Sequence, residues 1–75
     1  MPKVPTIKAR QLIKVLEKTG FVYDRSKGSH QIYIRLRDNL TVSVPVHKGR
    51  DLGQGITRSI LKDAKIDPEE FLRLL

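Results

Sequence analysis

Two histidines, His30 and His47, are the only side chains of this 75-residue chain with an ordinary pKa near neutral pH, because cysteine is absent. His30 stands in the stretch RSKGSHQIYI, between a turn at residues 26–28 and a segment in which apolar and polar residues alternate. An imidazole can act as a general acid or a general base. His30 is therefore a candidate catalytic residue.

The alternation also supports a structural role for His30. It puts His30 on the same side of a strand as Ile32 and Ile34, the side that the pattern assigns to the core. A histidine there is more often a packed residue than a catalyst. Its position as the first full strand residue after the turn at residues 26–28 puts it at the rim, where it could be half exposed, so both roles stay open from the residues alone.

The residues before His30 have the chemistry to hold a phosphate. Arg25 and Lys27 supply positive charge, Gly28 permits close approach of the backbone, and Ser29 could bond a phosphate oxygen. RNA cleavage without a metal needs a base for the 2′-hydroxyl proton, an acid for the leaving oxygen, and positive charge or N–H groups near phosphorus. The stretch has residue types that fit these needs.

A glycine-rich basic loop, HKGRDLGQG, follows at residues 47–55. Lys48, Arg50 and Arg58, the last in the first turn of the next predicted helix, are candidate RNA contacts because glycine loops and helix N-termini favour phosphates. His47 alternates with Val42, Val44 and Val46, which are predicted to face inward, so His47 should point outward. It is either a second proton-transfer group or, more commonly, a polar loop residue. No carboxylate or thiol stands at ligand spacing from the histidines, so we predict no metal and no cofactor.

Charge is the strongest feature of the composition. Fifteen Lys and Arg against eight Asp and Glu give a net charge of +7, and residues 1–65 hold fourteen of the basic and five of the acidic residues. A basic body with an acidic end favours a polyanionic partner, and nucleic acid is the commonest one. The alternative is a solvated basic surface with no ligand.

The helix and strand patterns predict the order α-β-β-β-α with a short terminal helix. A helical face predicts helix one over about residues 7–19, after an N-cap at Thr6 and before a stop at Gly20. Strands are predicted from residue 21, from residue 29 and from residue 40, with a hairpin loop at Asp38-Asn39. Pro45 should lie on an edge or at a strand end.

These elements predict an α+β fold with one three-stranded antiparallel sheet. The helices should cover the face that carries Ile32, Ile34 and Leu36, and Val42, Val44 and Val46 of the next strand. Tyr33, Arg35 and Arg37 should then lie on the other face. There Tyr33 could stack on a base or pack across strands.

The length predicts a single domain over residues 1–75, with a core small enough that oligomerisation or a partner protein is expected to help. No apolar run resembles a signal peptide or spans a bilayer, so we expect a soluble cytoplasmic protein without membrane contact. The apolar end, at Phe71, Leu72, Leu74 and Leu75, completes the core or meets a partner.

Several motifs resemble the HicA toxins of HicA–HicB toxin–antitoxin pairs. They are the helix followed by GF, then KGSH with an aromatic three residues on, then TVSVPVHKGRDLGQGITRSILKDAKI, and EEFLRLL. The likeness covers about residues 7–75. It implies a double-stranded-RNA-binding-like fold and an endoribonuclease, an mRNA interferase that needs no metal. It also implies catalysis by the histidine of GSH, here His30, and a HicB-like antitoxin that covers the active surface.

Two positions depart from the family pattern. Lys65 stands where such chains usually have a glycine, so the second helix loses the residue that most easily takes a left-handed conformation. Ile56 stands where a threonine is commoner, which removes a hydroxyl near a candidate phosphate contact and leaves Thr57 as an uncertain substitute. The change at Lys65 affects local stability and not the proposed chemistry of His30.

The sequence is also compatible with two other functional classes. A non-catalytic RNA-binding module of the same fold would explain the basic residues without proton transfer. A DNA-binding or protein-interaction subunit would use the charge on another acidic partner, although the sequence has no DNA-recognition motif.

Overall fold

The protein is described here by a computed structural model that covers residues 3–47 and 49–75. The predicted order of the main elements is confirmed, and two very short strands are added to it. The elements are β1 (Ile7–Lys8), α1 (Ala9–Lys18), β2 (Val22–Lys27), β3 (His30–Arg35), β4 (Leu40–Pro45), β5 (Asp51–Leu52), α2 (Gln54–Ala64) and α3 (Pro68–Leu74).

The main sheet is antiparallel with the order β2-β3-β4, so β3 is central and the other two strands are edges. Gly28 and Ser29 form the two-residue loop between β2 and β3, and Gly28 has a φ of 61°. A positive φ at the first loop position alone is the pattern of a type II′ turn, which glycine favours. Pro45 is the last residue of β4, an edge strand, as predicted.

The start of helix one differs from the prediction. Ile7 and Lys8 pair with Leu52 and Asp51 in a second, two-stranded sheet, and α1 begins at Ala9. Gln11 Oε1 accepts a hydrogen bond from the Lys8 backbone N–H at 2.9 Å, which caps the helix from inside. The helix starts two residues later than predicted because Ile7 and Lys8 pair with β5.

The face of β3 that packs on the helices is also different from the prediction. Tyr33 and Arg35 are only 4% and 5% exposed, whereas Leu36 is 71% exposed and Ile34 is half-buried. The predicted inward face of Ile32, Ile34 and Leu36 was therefore wrong.

Cross-strand pairing defines the two faces. The core face carries Tyr33 opposite Val42 and Gln31 opposite Val44, and these valines are buried as predicted. The other face, called the open face below, carries Lys27, His30, Ile32, Ser43 and Pro45. Ile32 is nevertheless buried there.

Arg35 explains why a charged residue occupies the core face. Its guanidinium donates to the carbonyl of Thr19 after α1 at 3.1 Å and to the carbonyl of Ala64 in α2 at 3.2 Å. It also forms a two-pronged pair with Asp38 and lies 4.8 Å from the centre of the Phe21 ring. A buried charge is tolerated because its donors are paired with acceptors.

Both long helices end in the same hydrogen-bond pattern. After α1, Gly20 N–H donates to Glu17 and Phe21 N–H donates to Leu16; after α2, Ile66 N–H donates to Leu61 at 2.9 Å. This Schellman arrangement needs a left-handed residue. Gly20 supplies it at φ 99°, and Lys65 supplies it at φ 56°.

The short α3 packs partly on the core. Phe71 is fully buried and Leu74 is half-buried against the core, while Leu72 and Leu75 are exposed. Lys18 Nζ donates to the carbonyl of Leu74 at 2.8 Å and so ties the end of α3 to α1. The apolar end of the chain therefore contributes to the core at some positions and leaves others free.

Candidate functional site

His30 is the first residue of β3 and lies on the open face, opposite Lys27 of β2 and Pro45 of β4. Its side chain is exposed. It does share a face with Ile32, as the alternation predicted, but that face is not the one covered by the helices. His30 is therefore not a packed core residue.

One ring nitrogen of His30 is held by a neighbouring strand. His30 Nδ1 lies 3.0 Å from Ser43 Oγ, a hydrogen-bonding distance. Within residues 3–47 and 49–75, His30 Nε2 has no hydrogen-bond partner. The ring is thus anchored through Nδ1 with Nε2 left available.

His30 borders an open depression of about 460 Å³ between the sheet and the side of α2. Ser43 and Pro45 complete the wall formed by the sheet. The wall formed by α2 consists of Ile56, Ser59, Ile60 and Asp63. The site therefore combines one imidazole, two hydroxyls and one carboxylate with an apolar floor.

The predicted phosphate contacts before His30 are brought beside it. Lys27 lies directly across from His30, and Arg25 lies across from Ile32 on the same face. Arg25 also forms an ion pair with its neighbour Asp24, so part of its charge is already compensated. Lys27 forms no ion pair with another described residue, so its charge is uncompensated.

Arg50 lies in a neighbouring part of the surface. It lines a depression with Lys8, Arg10 and His47, and a smaller one with His47, Pro45 and Ile56. Pro45 and Ile56 also line the His30 depression. The two regions are therefore adjacent, and His47 is exposed as its parity predicted.

Arg58 lies elsewhere. It lines a depression with Lys62 and Lys65 on a different side of α2 from Ser59 and Asp63. The structure does not bring it into the His30 depression. Lys48, the remaining predicted contact, lies outside the described residues.

Tyr33 is in the core, not on the open face. Its ring meets Tyr23 edge-to-face with 5.8 Å between centroids, and its hydroxyl donates to Gln31 Oε1 at 2.8 Å. Burial, and then the charge of Glu17, raises the pKa of Tyr33. Of the two predicted roles for Tyr33, packing across strands is the one observed. Its ring is buried and therefore cannot stack on a nucleic-acid base.

Thr57 is also buried, although it follows a loop predicted to contact phosphate. It is fully buried in the first turn of α2, and its Oγ1 has no hydrogen-bond partner within the described residues. A side chain in that position does not face a ligand at the surface. It therefore does not replace the hydroxyl that Ile56 lacks.

Three polar residues of the site were not predicted from the sequence: Ser59 and Asp63 of α2, and Ser43, which contacts His30. The alternation of Val42 and Val44 already places Ser43 outward. Its meeting with His30 depends on the diagonal register between β3 and β4, in which His30 pairs with Pro45. The alternation of the sequence could have shown that Ser43 lies on the open face. Only the register of β3 with β4 shows that Ser43 contacts His30.

Residues 3–47 and 49–75 contain neither a cluster of metal ligands nor a membrane-spanning helix. No group of three His, Cys, Asp or Glu side chains there is placed to hold a metal ion. None of the helices in residues 3–47 and 49–75 has the length and apolar character needed to cross a bilayer.

The fold and the site together define a small basic α+β domain with an exposed histidine on the open face of its sheet. The family model described as "HicA toxin of bacterial toxin-antitoxin" matches residues 9–66, which is more than half of the chain. The chain therefore belongs to the HicA toxin family. Membership implies a toxin–antitoxin system and thus an antitoxin partner. No curated protein sequence matches the chain.

Proposed function

We propose that this protein is a toxin that cleaves mRNA without a metal, with His30 as the catalytic acid and base. The observation that carries the proposal is the exposed His30 ring, anchored at Nδ1 and open at Nε2, on a basic face in a member of the HicA family. Cleavage of mRNA would arrest growth, and it would take place in the cytoplasm, where mRNA is translated.

The chemistry follows from the RNA chain itself. His30 Nε2 takes the proton of a 2′-hydroxyl, and the 2′-oxygen attacks the adjacent phosphorus. The bond to the 5′-oxygen breaks, which leaves a 2′,3′-cyclic phosphate and a 5′-hydroxyl. The 5′-oxygen needs a proton as it leaves, from the imidazolium or from a second acid. His47, on the neighbouring surface, is the candidate second group.

Positive charge near phosphorus supports the same proposal. Lys27, directly across from His30, is placed to neutralise a phosphate oxygen, and Arg25 lies farther along the same strand. Gly28 and Ser29 form the loop that ends at His30, so their backbone could approach the phosphate closely. Fixed donors and cations of this kind stabilise the charge that grows in the transition state.

The flanking RNA would use the more distant cations. Arg50 borders the depression that adjoins the His30 site, so it suits a phosphate one or two nucleotides away. Arg58 lies on another side of α2 and suits a more remote phosphate. Lys48 remains a proposed contact from its position in the sequence.

The exposed site is also the surface that we expect the antitoxin to bind. A HicB-like antitoxin that covers the open face would block access to His30 and bury the exposed Ile56 side chain beside it. If this protein forms oligomers, we expect the antitoxin to hold the copies together. An acidic antitoxin surface would complement Lys27 and Arg25.

The test compares the same substitution at the two histidines. His30→Ala should remain folded and bind RNA, yet lose cleavage in EDTA and growth arrest in cells by a factor of about 100 or more. His47→Ala is the matched variant, and its remaining activity measures how far His47 supplies the second proton. Full cleavage by His30→Ala would overturn the assignment.

The substrate gives an independent check. An RNA with a single 2′-deoxy nucleotide at the cleaved position should resist cleavage, and the products of the normal RNA should end in a cyclic phosphate. Salt-sensitive binding without any cleavage by the unaltered protein would instead indicate a non-catalytic RNA-binding module.

A further inference from the structure

The hydroxyl of Ser43 is the only hydrogen-bond partner of the His30 ring within the described residues. The contact is diagonal across the sheet, because His30 pairs with Pro45 and Ser43 pairs with Ile32. We propose that Ser43 is a positioning residue that holds His30 in the Nδ1–H tautomer. Nε2 is then the atom that takes and returns the proton. The catalytic consequence rests on the proposed function, whereas the tautomer does not.

A hydroxyl suits this role in both halves of the reaction. Nδ1–H donates to Ser43 Oγ when the ring is neutral, and it still donates when the ring is an imidazolium. If Nδ1 were the acceptor, the Ser43 hydroxyl would have to rotate from donor to acceptor each time Nδ1 was protonated. The tautomer with hydrogen on Nδ1 keeps the ring in one orientation throughout the proton cycle.

The surroundings leave this task to Ser43. Lys27 faces His30 from β2, and Asp63 lines the depression from α2. Neither forms a hydrogen bond with the ring in the described part of the chain. Ser43 itself lies within a regular strand between the buried Val42 and Val44, so its backbone position is fixed by the core.

Two β-branched variants isolate the hydroxyl. Ser43→Thr keeps the oxygen, and Ser43→Val replaces it with a methyl group of similar size. Both residues favour strands, and position 43 is exposed, so both variants should fold. Ser43→Ala provides a smaller variant without the hydroxyl in case the methyl group of valine disturbs the site.

Long-range ¹⁵N–¹H spectra of the imidazole distinguish the tautomers directly. At a pH where the ring is neutral, the unaltered protein and Ser43→Thr should show hydrogen on Nδ1. Ser43→Val and Ser43→Ala should shift toward hydrogen on Nε2, the form that free histidine favours. Hydrogen on Nε2 in the unaltered protein, or an unchanged tautomer in both variants that lack the hydroxyl, would overturn the proposal.

Cleavage measured under single-turnover conditions tests the catalytic consequence. Ser43→Val should cleave about ten-fold more slowly with RNA affinity unchanged, and Ser43→Thr should stay within about three-fold of the unaltered protein. Equal rates for Thr and Val would refute the positioning role. If His30→Ala keeps full activity, the proposed function fails by itself, and the spectra still decide the tautomer.

Discussion

Arg35 passes so close to Gly20 that a Cβ atom on Gly20 would lie 3.3 Å from Arg35 Cδ. The missing side chain makes room for the stem of the arginine as it enters the core. Gly20 is therefore required twice, once for its φ of 99° and once for this contact. The end of α1 and the buried charge of β3 depend on the same residue.

Gly20→Ala should lower the free energy of unfolding by about 2 kcal/mol, from backbone strain and from the close contact. Urea denaturation followed by circular dichroism measures the change. Gly55→Ala is the matched control, because no atom lies within 4 Å of a Cβ there and the residue is helical. It should be neutral or stabilising by up to about 1 kcal/mol. A similar effect at both positions would contradict the argument.

Arg35→Met should destabilise the protein by about 3 kcal/mol. The substitution removes charged hydrogen bonds and leaves the carbonyls of Thr19 and Ala64 without their donor. Arg35→Lys should recover only part of the loss, because an ammonium group cannot reach three acceptors with the geometry of a guanidinium. Thermal unfolding gives the comparison. Arg37→Met, at an exposed neighbour, should change the stability by less than about 0.5 kcal/mol.

Asp38 should make stability depend on acid pH. The hydrogen bond from Arg35 holds the pKa of Asp38 below its ordinary value of 3.8. A carboxyl group with a lowered pKa in the folded state stabilises the fold above its unfolded pKa, and the contribution disappears as the pH falls through the folded pKa.

The unaltered protein should therefore lose more stability than Asp38→Asn between about pH 5 and pH 2. Denaturant midpoints at several pH values measure both curves. Parallel curves for the two proteins would show that Asp38 is not the linked group.

Lys65→Gly should stabilise the protein by about 1 kcal/mol, because Lys65 occupies the left-handed region at φ 56° and ψ 44°. The Schellman hydrogen bonds to Leu61 and Lys62 would be kept. Lys62→Gly removes the same charge from the last turn of α2 and should instead destabilise by up to about 1 kcal/mol. The sign of the difference in melting temperature decides the prediction.

Lys27→Gln should weaken RNA binding and reduce the salt dependence of that binding. If Lys27 contacts a phosphate, its removal should change the slope of log K against log salt by about 0.7 for single-stranded RNA. Lys14→Gln, on the exposed side of α1, removes the same charge away from the site and should leave the slope nearly unchanged. Equal slopes for the two variants would argue against a contact at Lys27.

Turn residues made the topology predictable. Gly28 and Asn39 lie in the two hairpin loops, and both have positive φ, so local chemistry determined where the strands end. Gly20 likewise ended α1 where expected. These signals are local, and they do not depend on what the helices cover.

The inward face of β3 was not predictable from hydrophobicity. Ile32 and Ile34 are more apolar than Tyr33 and Arg35, and an alternating pattern assigns the more apolar set to the core. Arg35 reverses the assignment because two helix ends supply carbonyl acceptors that only the fold brings together. The pairing of β1 with β5 was missed for the same reason, because its partners lie more than forty residues apart.

The alternation along β3 separates the residues that hold the fold together from those that face the surface. Arg35 and Tyr33 contact the helix ends and the core, whereas Lys27, His30 and Ser43 on the open face are exposed. If the proposed function is correct, substitutions on the open face could change RNA preference while the inward residues that hold the fold stay the same. On the same condition, a chain without His30 would still fold but would not cleave RNA, and it would still bind an antitoxin that recognises the rest of the open face.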